Sequence, residues 1–209
     1  MTGANAWQDD RLLLPLVELA REAKGLDQAT FLGRYKDAAL ILSVTVPAEE
    51  LDATVGRVET PNEGTPTTTV VASHSRFLSA PLPALTSLVG GSGEDDGTYV
   101  FFLRKSERNP FSTMITLGRA RNNDIIVELP MISKLHTYFT HRPEGHRVYD
   151  QGSTNGTIVD GRRLSRGEFS LLQDGARIEL AVGVVLHYYT PGGLFGVLAL
   201  RTGMGAERK

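Results

Sequence analysis

Three short polar motifs in the second half of the chain carry the residues that are best suited to bind a ligand. They are Gly118-Arg119, then Ser133-Lys134-Leu135-His136, then Ser153-Thr154-Asn155-Gly156-Thr157. Each motif lies between runs of residues that are typical of β-strands, and loops on a rigid scaffold are the usual place for binding residues. Arginine, lysine and serine side chains all donate hydrogen bonds, and two of them are positively charged, so together they suit an anionic group.

In this order and with this spacing, the motifs resemble those of the forkhead-associated (FHA) domain, a β-sandwich that binds phosphothreonine. The resemblance covers roughly residues 99–190 and is of the type found in bacterial signalling adaptors. The segment Asn123-Asp124-Ile125 also matches an Asn-Asp-Ile segment of the family, for which a structural role is expected.

The resemblance implies a role for each residue of the motifs. Contacts with a phosphopeptide are expected from Arg119, Ser133, Lys134, Thr154 and Asn155. Three residues are expected to support the site: Gly118 and Gly156, where the backbone turns tightly, and His136, which ties the loops together. A phosphothreonine carries nearly two negative charges and three acceptor oxygens, which the arginine fork, the serine hydroxyl and the lysine ammonium group would satisfy.

Two positions depart from the family pattern. Lys134 stands where arginine is common, and it keeps the positive charge but lacks the planar fork. Met131 stands in the loop where some relatives place a charge that reads the third residue after the phosphothreonine. We therefore predict that Met131 sets specificity and favours an apolar residue at that peptide position over an acidic one.

The residues around the motifs predict an all-β fold independently of the resemblance. Short runs with strand character occur at 99–104, 113–117, 124–127, 137–140, 147–150, 157–159, 177–182 and 184–189. The dipeptides Asn155-Gly156, Asp160-Gly161 and Asp174-Gly175 provide the positive φ angles of tight hairpins. Many short strands joined by such turns predict an antiparallel β-sandwich.

The N-terminal region is predicted to be mixed and mainly helical. Leucines at three- and four-residue spacing predict a helix over Asp9–Ala23, and Asp27 is a candidate N-cap for a second helix that reaches Tyr35. The segment Ala38–Val46 fits either a continued helix or a strand. A third helix is expected over Pro47–Val55, with the proline at its first position.

Changes in composition divide the chain into four parts. We predict a mainly helical region at 1–58, a linker-like segment at 59–97, the sandwich at 98–191 and a tail at 192–209. The linker is rich in threonine, proline and glycine. In the tail, a short helix is expected over Leu194–Arg201.

Composition excludes several classes of function. The formal net charge of -2 argues against non-specific nucleic-acid binding, and the absence of cysteine excludes disulfides and thiolate metal sites. No apolar run approaches the roughly 18 residues of a membrane span, and residues 1–10 do not resemble a signal peptide, so a cytoplasmic protein without membrane contact is expected. The histidines lack metal-ligand spacing, and nucleophile-elbow, nucleotide-binding-loop and kinase motifs are absent, so no metal, cofactor or enzymatic activity is predicted.

Together these observations predict a phosphothreonine-binding adaptor in serine/threonine kinase signalling. Its expected partners are threonine-phosphorylated proteins, with a kinase itself among the candidates. The alternative is a scaffold or assembly component that uses the same fold for contacts without phosphate. A further hypothesis is self-interaction, in which a phosphorylated threonine of residues 60–69 binds the site.

Overall fold

The computed structural model describes residues 13–44, 69–70 and 98–203 of the chain. Within these ranges lie thirteen strands: β1 Leu13–Pro15, β2 Ala39–Val44, β3 Thr69–Val70, β4 Tyr99–Phe102, β5 Ile115–Gly118, β6 Ile125–Val127, β7 Thr137–Arg142, β8 Gly145–Asp150, β9 Ile158–Val159, β10 Arg162–Arg163, β11 Phe169–Leu171, β12 Arg177–Ala181 and β13 Val184–Tyr189. Three helices accompany them: α1 Leu16–Ala23, α2 Gln28–Arg34 and α3 Pro191–Thr202.

The strands form two sheets that pack face to face. The seven-stranded sheet has the order β1-β4-β2-β13-β12-β9-β10, and the six-stranded sheet has the order β11-β8-β7-β5-β6-β3. Neighbours are antiparallel except β5–β6 and β3–β6, which are parallel. The prediction of a mainly β protein with a sandwich is confirmed, and all eight predicted strand segments of the sandwich contain a strand.

A main hydrophobic core fills the space between the two sheets. Both sheets contribute to it through residues that alternate along each strand, such as Leu40 and Leu42 of β2 and Leu117 of β5. Phe139 and Val148 are fully buried on the inner face of the six-stranded sheet. This core is the rigid support for the loops at the ends of the strands.

A second core lies on the opposite face of the seven-stranded sheet, where the helices cover it. Ile41 and Val100 point into this second core, together with Leu16 of α1, Phe31 of α2 and Leu194 of α3. Because both faces of β2 are covered, its residues 39–43 are all buried. Such a continuous apolar run does not show the alternation of a half-exposed strand, which explains why this segment was ambiguous in the sequence.

The first helix begins later than predicted. Residues 13–15 form β1 and pair with β4, so the expectation of a helix across this segment is wrong. The cause is Pro15, because the residue before a proline is disfavoured in the helical conformation and Leu14 therefore stays extended. The second helix is confirmed, with the Asp27 side chain accepting a hydrogen bond from the Thr30 backbone at 2.7 Å. The predicted third helix lies outside the described residues.

The N-terminal region contributes directly to the sandwich. Strand β2 lies between β4 and β13 in the seven-stranded sheet, and β1 lies at the edge of the same sheet. From the linker-like segment, Thr69–Val70 pairs with β6, and the rest of that segment lies outside the described residues. The division into domains stays a prediction, and the sheet order gives a reason to test it.

The C-terminal helix is longer than predicted, and the residue just before it provides its N-cap. It begins after Thr190, whose hydroxyl accepts a hydrogen bond from the Gly193 backbone at 3.2 Å, and it continues to Thr202. The Phe195 ring lies 5.3 Å from that of Phe31 in α2. The predicted tail therefore contains an ordered helix within the second core.

Candidate functional site

The three motifs meet at one end of the six-stranded sheet. Leu117 near the end of β5 pairs with Thr137 at the start of β7, and Thr137 pairs with Asp150 at the end of β8. Because these neighbours are antiparallel, the loop after β5, the loop before β7 and the loop after β8 emerge at the same edge. The register thus brings together the residues that the sequence nominated from three separate segments.

Backbone hydrogen bonds join the first loop to the second. The Arg119 N–H donates to the Ser133 carbonyl at 2.9 Å, and the Ala120 N–H donates to the Lys134 carbonyl at 3.0 Å. A Cβ atom at Gly118 would overlap that Lys134 carbonyl, so glycine is required there by the close approach of two backbones. The Asn123 side-chain amide donates to the carbonyls of Ala120 and Lys134, both at 2.7 Å, and holds the first loop in place.

The two cationic side chains of the candidate site are exposed. Arg119 donates from Nε to the Ile132 carbonyl at 3.0 Å, which orients its guanidinium group beside the second loop. Lys134 lies on the surface of the same loop. An exposed guanidinium that is anchored at Nε can still present its terminal nitrogens to an anion.

Ser133 links the second loop to the third. Its hydroxyl accepts a hydrogen bond from the Thr154 backbone N–H at 3.0 Å, and it lies 3.4 Å from the Thr154 hydroxyl. The serine proton is therefore able to rotate toward Thr154 or toward a ligand. Ser133 and Thr154 thus form one polar cluster at the meeting point of the loops.

Asn155 also spans the gap between the loops. The Asn155 side-chain amide donates to the Met131 carbonyl at 2.7 Å, and the residue is exposed. The Met131 side chain is partly buried and packs against the main core. The predicted contact between Met131 and a peptide stays a prediction.

His136 lies buried beneath the site and joins the second loop to the third. Its Nδ1 atom accepts a hydrogen bond from the Ser133 N–H at 3.2 Å, and its Nε2 atom lies 3.3 Å from the Gly156 carbonyl. Acceptance at Nδ1 places the proton of the neutral ring on Nε2, where it donates to Gly156. Burial lowers the pKa of His136, against the opposing effects of the Gly156 hydrogen bond and the Asp150 charge.

Asp150 organises the third loop and was missed in the sequence. It accepts hydrogen bonds from the Gly152 N–H at 2.8 Å, from the Ser153 hydroxyl at 2.6 Å and from the Thr157 hydroxyl at 2.7 Å. Burial alone would raise the pKa of the Asp150 carboxyl, but these donors together lower it. An aspartate two residues before a glycine is a signal for such a side-chain-closed turn, and it could have been recognised.

The described residues contain no cluster of three or more metal-ligating side chains and no helix long and apolar enough to cross a membrane.

Comparison with known proteins decides the family of this region. A family model for the FHA domain matches residues 115–181, which include every nominated site residue. Residues 115–181 form an FHA domain. The resemblance inferred from the motifs is therefore confirmed for this part of the chain.

Curated proteins also match part of this chain. One is the mouse angiogenic factor with G patch and FHA domains 1, which is 31% identical over 85 residues, covering 37% of this chain and 12% of the relative. Another is an ABC transporter ATP-binding/permease protein of Mycobacterium tuberculosis, which is 36% identical over 61 residues, covering 29% of this chain and 7% of the relative. The chain thus spans only a small part of the length of either protein.

Solved structures also match part of this chain. The N-terminal FHA domain of Saccharomyces cerevisiae Rad53p, in complex with a phosphothreonine peptide, matches with a TM-score of 0.37 and 22% identity, covering 44% of this chain and 83% of that chain. Mycobacterium tuberculosis EmbR, in complex with a low affinity phosphopeptide, matches with a TM-score of 0.34 and 22% identity, covering 37% of this chain and 20% of that chain.

Proposed function

We propose that the FHA domain of this chain binds phosphothreonine peptides and acts as an adaptor in serine/threonine kinase signalling. The observation that carries the proposal is the junction of the loops, where the Thr154 N–H donates to the Ser133 hydroxyl at 3.0 Å. This junction places the cationic loops and the Asn155 turn at one edge of a rigid sandwich. Such an array supports the proposal, because donors that are already held in place lose little freedom when they bind an anionic group on an extended peptide.

Each nominated residue has a distinct part in the proposed binding. The Arg119 guanidinium group and the Ser133 hydroxyl would donate to phosphate oxygens, and Lys134 would add a mobile positive charge. The Asn155 side chain would bond the peptide backbone and fix its course. Thr154 would contact the peptide beside the phosphate.

The expected affinity is moderate. Hydrogen bonds to charged groups contribute ~1.5–3 kcal/mol each, and ordering a flexible peptide opposes binding. Two or three such bonds point to micromolar dissociation constants. Because the second pKa of a phosphate is about 6, the dianion gives way to the monoanion below that pH, and affinity should weaken there.

The first test is binding of a degenerate phosphothreonine peptide pool, measured beside unphosphorylated and phosphoserine pools. Arg119→Ala should weaken binding by roughly tenfold or more, since it removes a charge-assisted donor. Arg121→Ala is the matched control, because Arg121 is an exposed arginine on the same loop that pairs with Glu128 at 3.3 Å. Equal binding of phosphorylated and unphosphorylated pools would reject the proposal.

A folded protein that binds none of these pools would favour the alternative function, a scaffold whose FHA fold makes contacts without phosphate. In that case Arg119→Ala and Ser133→Ala would leave partner binding unchanged. The same pair of variants therefore separates the two functions in a pull-down with any identified partner.

Self-interaction through the threonine-rich segment is a second proposal within the same function. The pairing of β3 with β6 favours it, because Thr69 and Gly118 both pair with Ile126 and lie in one row across the sheet. The linker residue Thr69 therefore lies two strands away from Gly118, the residue that precedes Arg119. Phosphorylation of the linker would then lower affinity for free phosphopeptide, and an unchanged affinity of the phosphorylated protein would contradict this proposal.

A further inference from the structure

The Asn155-Gly156 turn is held from two sides. On one side, the Asn155 amide donates to the Met131 carbonyl at 2.7 Å. On the other side, the Arg163 guanidinium donates from Nη1 to the Asn155 carbonyl at 2.7 Å. The side chain and the backbone of Asn155 are thus fixed by different partners, and the second partner lies outside the three motifs.

Arg163 reaches the turn from β10. Its strand pairs with β9, where Arg163 lies opposite Ile158, just after the turn. The guanidinium group occupies the space above Gly156, and a Cβ atom at Gly156 would overlap Arg163. Gly156 also has a φ of 77°, a conformation that other residues rarely adopt. Both features require glycine at position 156, and the absence of a side chain there leaves the space that the Arg163 guanidinium group occupies.

The neighbouring residue on the strand behaves differently. Arg162 pairs with Glu168 rather than with the turn. Arg162 and Arg163 therefore have the same side chain, lie next to each other and are both exposed, but only Arg163 contacts Asn155. This difference separates the effect of a general positive charge from the effect of a specific contact.

We propose that Arg163 is a positioning residue for peptide recognition, acting through Asn155. By anchoring the backbone carbonyl of Asn155, Arg163 keeps the Asn155 side chain in place to bond the backbone of the ligand. An asparagine amide has a second N–H and an oxygen beyond the N–H that bonds Met131, which is the set needed to pair with a peptide group. The inference rests on the proposed phosphopeptide binding and assigns no phosphate contact to Arg163.

The decisive experiment is a double-mutant cycle on phosphothreonine-peptide affinity, measured by titration calorimetry on the full chain. Arg163→Ala should weaken binding by about three- to tenfold, the range for loss of one hydrogen bond, and Arg162→Ala by less than about twofold. In an Asn155→Ala background, Arg163→Ala should cause little further loss, because the group that it positions is gone. Arg163→Lys should recover part of the affinity, since an ammonium group can also donate to the carbonyl.

A measurement on the unliganded protein tests the same contact without peptide. Amide hydrogen exchange at Asn155, Gly156 and Thr157 should be faster in Arg163→Ala than in wild type or in Arg162→Ala. A melting temperature close to that of wild type would show that the fold persists in both exposed-arginine variants.

The outcomes separate failure of this inference from failure of the proposed function. If wild type binds the peptide but Arg163→Ala matches Arg162→Ala, or if the losses from Arg163→Ala and Asn155→Ala simply add, the inference is wrong and the proposed function stands. If wild type binds no phosphopeptide, the proposed function fails and the positioning role falls with it.

Discussion

The Asp124 carboxylate accepts several hydrogen bonds, most of them from the segment 105–109 rather than from the three loops of the candidate site. This fully buried carboxylate accepts hydrogen bonds from Lys105 at 2.7 Å, from the Ser106 hydroxyl at 2.6 Å and from Asn109 at 2.8 Å. The Thr116 N–H also donates to it at 2.8 Å. Burial alone would raise the pKa of the Asp124 carboxyl, but these donors lower the pKa to about 2.

Asp124→Asn should destabilise the protein by about 3 kcal/mol, because it leaves Lys105 without its countercharge and turns an amide toward donors. The check is the free energy of unfolding from urea denaturation. Glu128→Gln is the control, since its partner Arg121 is largely exposed, and it should change stability by less than about 1 kcal/mol. Equal effects of the two variants would show that the buried network contributes nothing special.

Three half-buried or buried histidines make stability depend on pH. Burial lowers the pKa of His136 and, with the charge of Arg177, that of His187. Burial and the charge of His141 lower the pKa of His146 to about 4. In the unfolded chain each histidine titrates near its ordinary value of ~6.5, so the unfolded state binds more protons below that pH.

The free energy of unfolding should therefore fall as pH drops below about 6.5. Once pH has dropped below about 4, His146 is protonated in both states and no longer contributes to this pH dependence. The Asp124 contribution is lost in a separate and lower window, between about 3.8 and 2. Urea denaturation at several pH values between these limits measures the slope. His146→Gln should make the slope shallower above pH 4, and an unchanged slope in that variant would contradict the assignment.

At the scale of elements, α3 is held against the seven-stranded sheet by its buried apolar side chains. Leu194 of α3 is fully buried in the second core, whereas Leu200 on the same helix is 63% exposed. Leu194→Ala should cost about 2–5 kcal/mol of unfolding free energy through lost burial and the cavity left behind. Leu200→Ala should cost less than about 0.5 kcal/mol. Comparable losses in the two variants would mean that α3 is not packed as described.

Elements with local signals were predictable from the sequence, and elements that depend on distant partners were not. The Asp27 cap located α2, and the Asp160-Gly161 dipeptide, with φ values of 48° and 82°, located the turn that follows β9. Strands β1, β3, β10 and β11 were missed because they have only two or three residues each. β1, β3 and β11 pair with strands that are not adjacent in the sequence, and β10 pairs with the two-residue strand β9. No periodicity can develop over so few residues.

The candidate site was predictable where residues belong to a recurring pattern. Arg119, Ser133 and Asn155 were found through the spacing of three motifs, and the register of β5, β7 and β8 brings them to one edge. Arg163 was not found, because its contact with Asn155 depends on the hairpin geometry of β9 and β10. An arginine on the surface of a short strand carries no signal of its own.

At the scale of the whole molecule, the two ends of the described chain meet on the seven-stranded sheet. Strand β2 from the N-terminal region forms six residue pairs with β13 and four with β4. Helices α1 and α2 pack with α3 on the outer face of this sheet. The predicted sandwich segment 98–191 therefore contains neither the strand between β4 and β13 nor the helices that cover it.

We predict that residues 98–191 expressed alone do not fold, because removal of β2 exposes the main core and leaves the edges of β4 and β13 unpaired. Co-expression of residues 1–58 with residues 98–209 should restore a folded complex, since the two pieces together contain β2 and all three helices. Far-UV circular dichroism, proton NMR dispersion and co-purification on a tag carried by one piece provide the measurements. Leu42→Asp in the first piece is the matched control, because Leu42 of β2 is buried in the main core, and this variant should prevent assembly. A well-dispersed spectrum from residues 98–191 alone would instead establish that segment as an independent domain and show that β2 is an addition to a sandwich already complete without it.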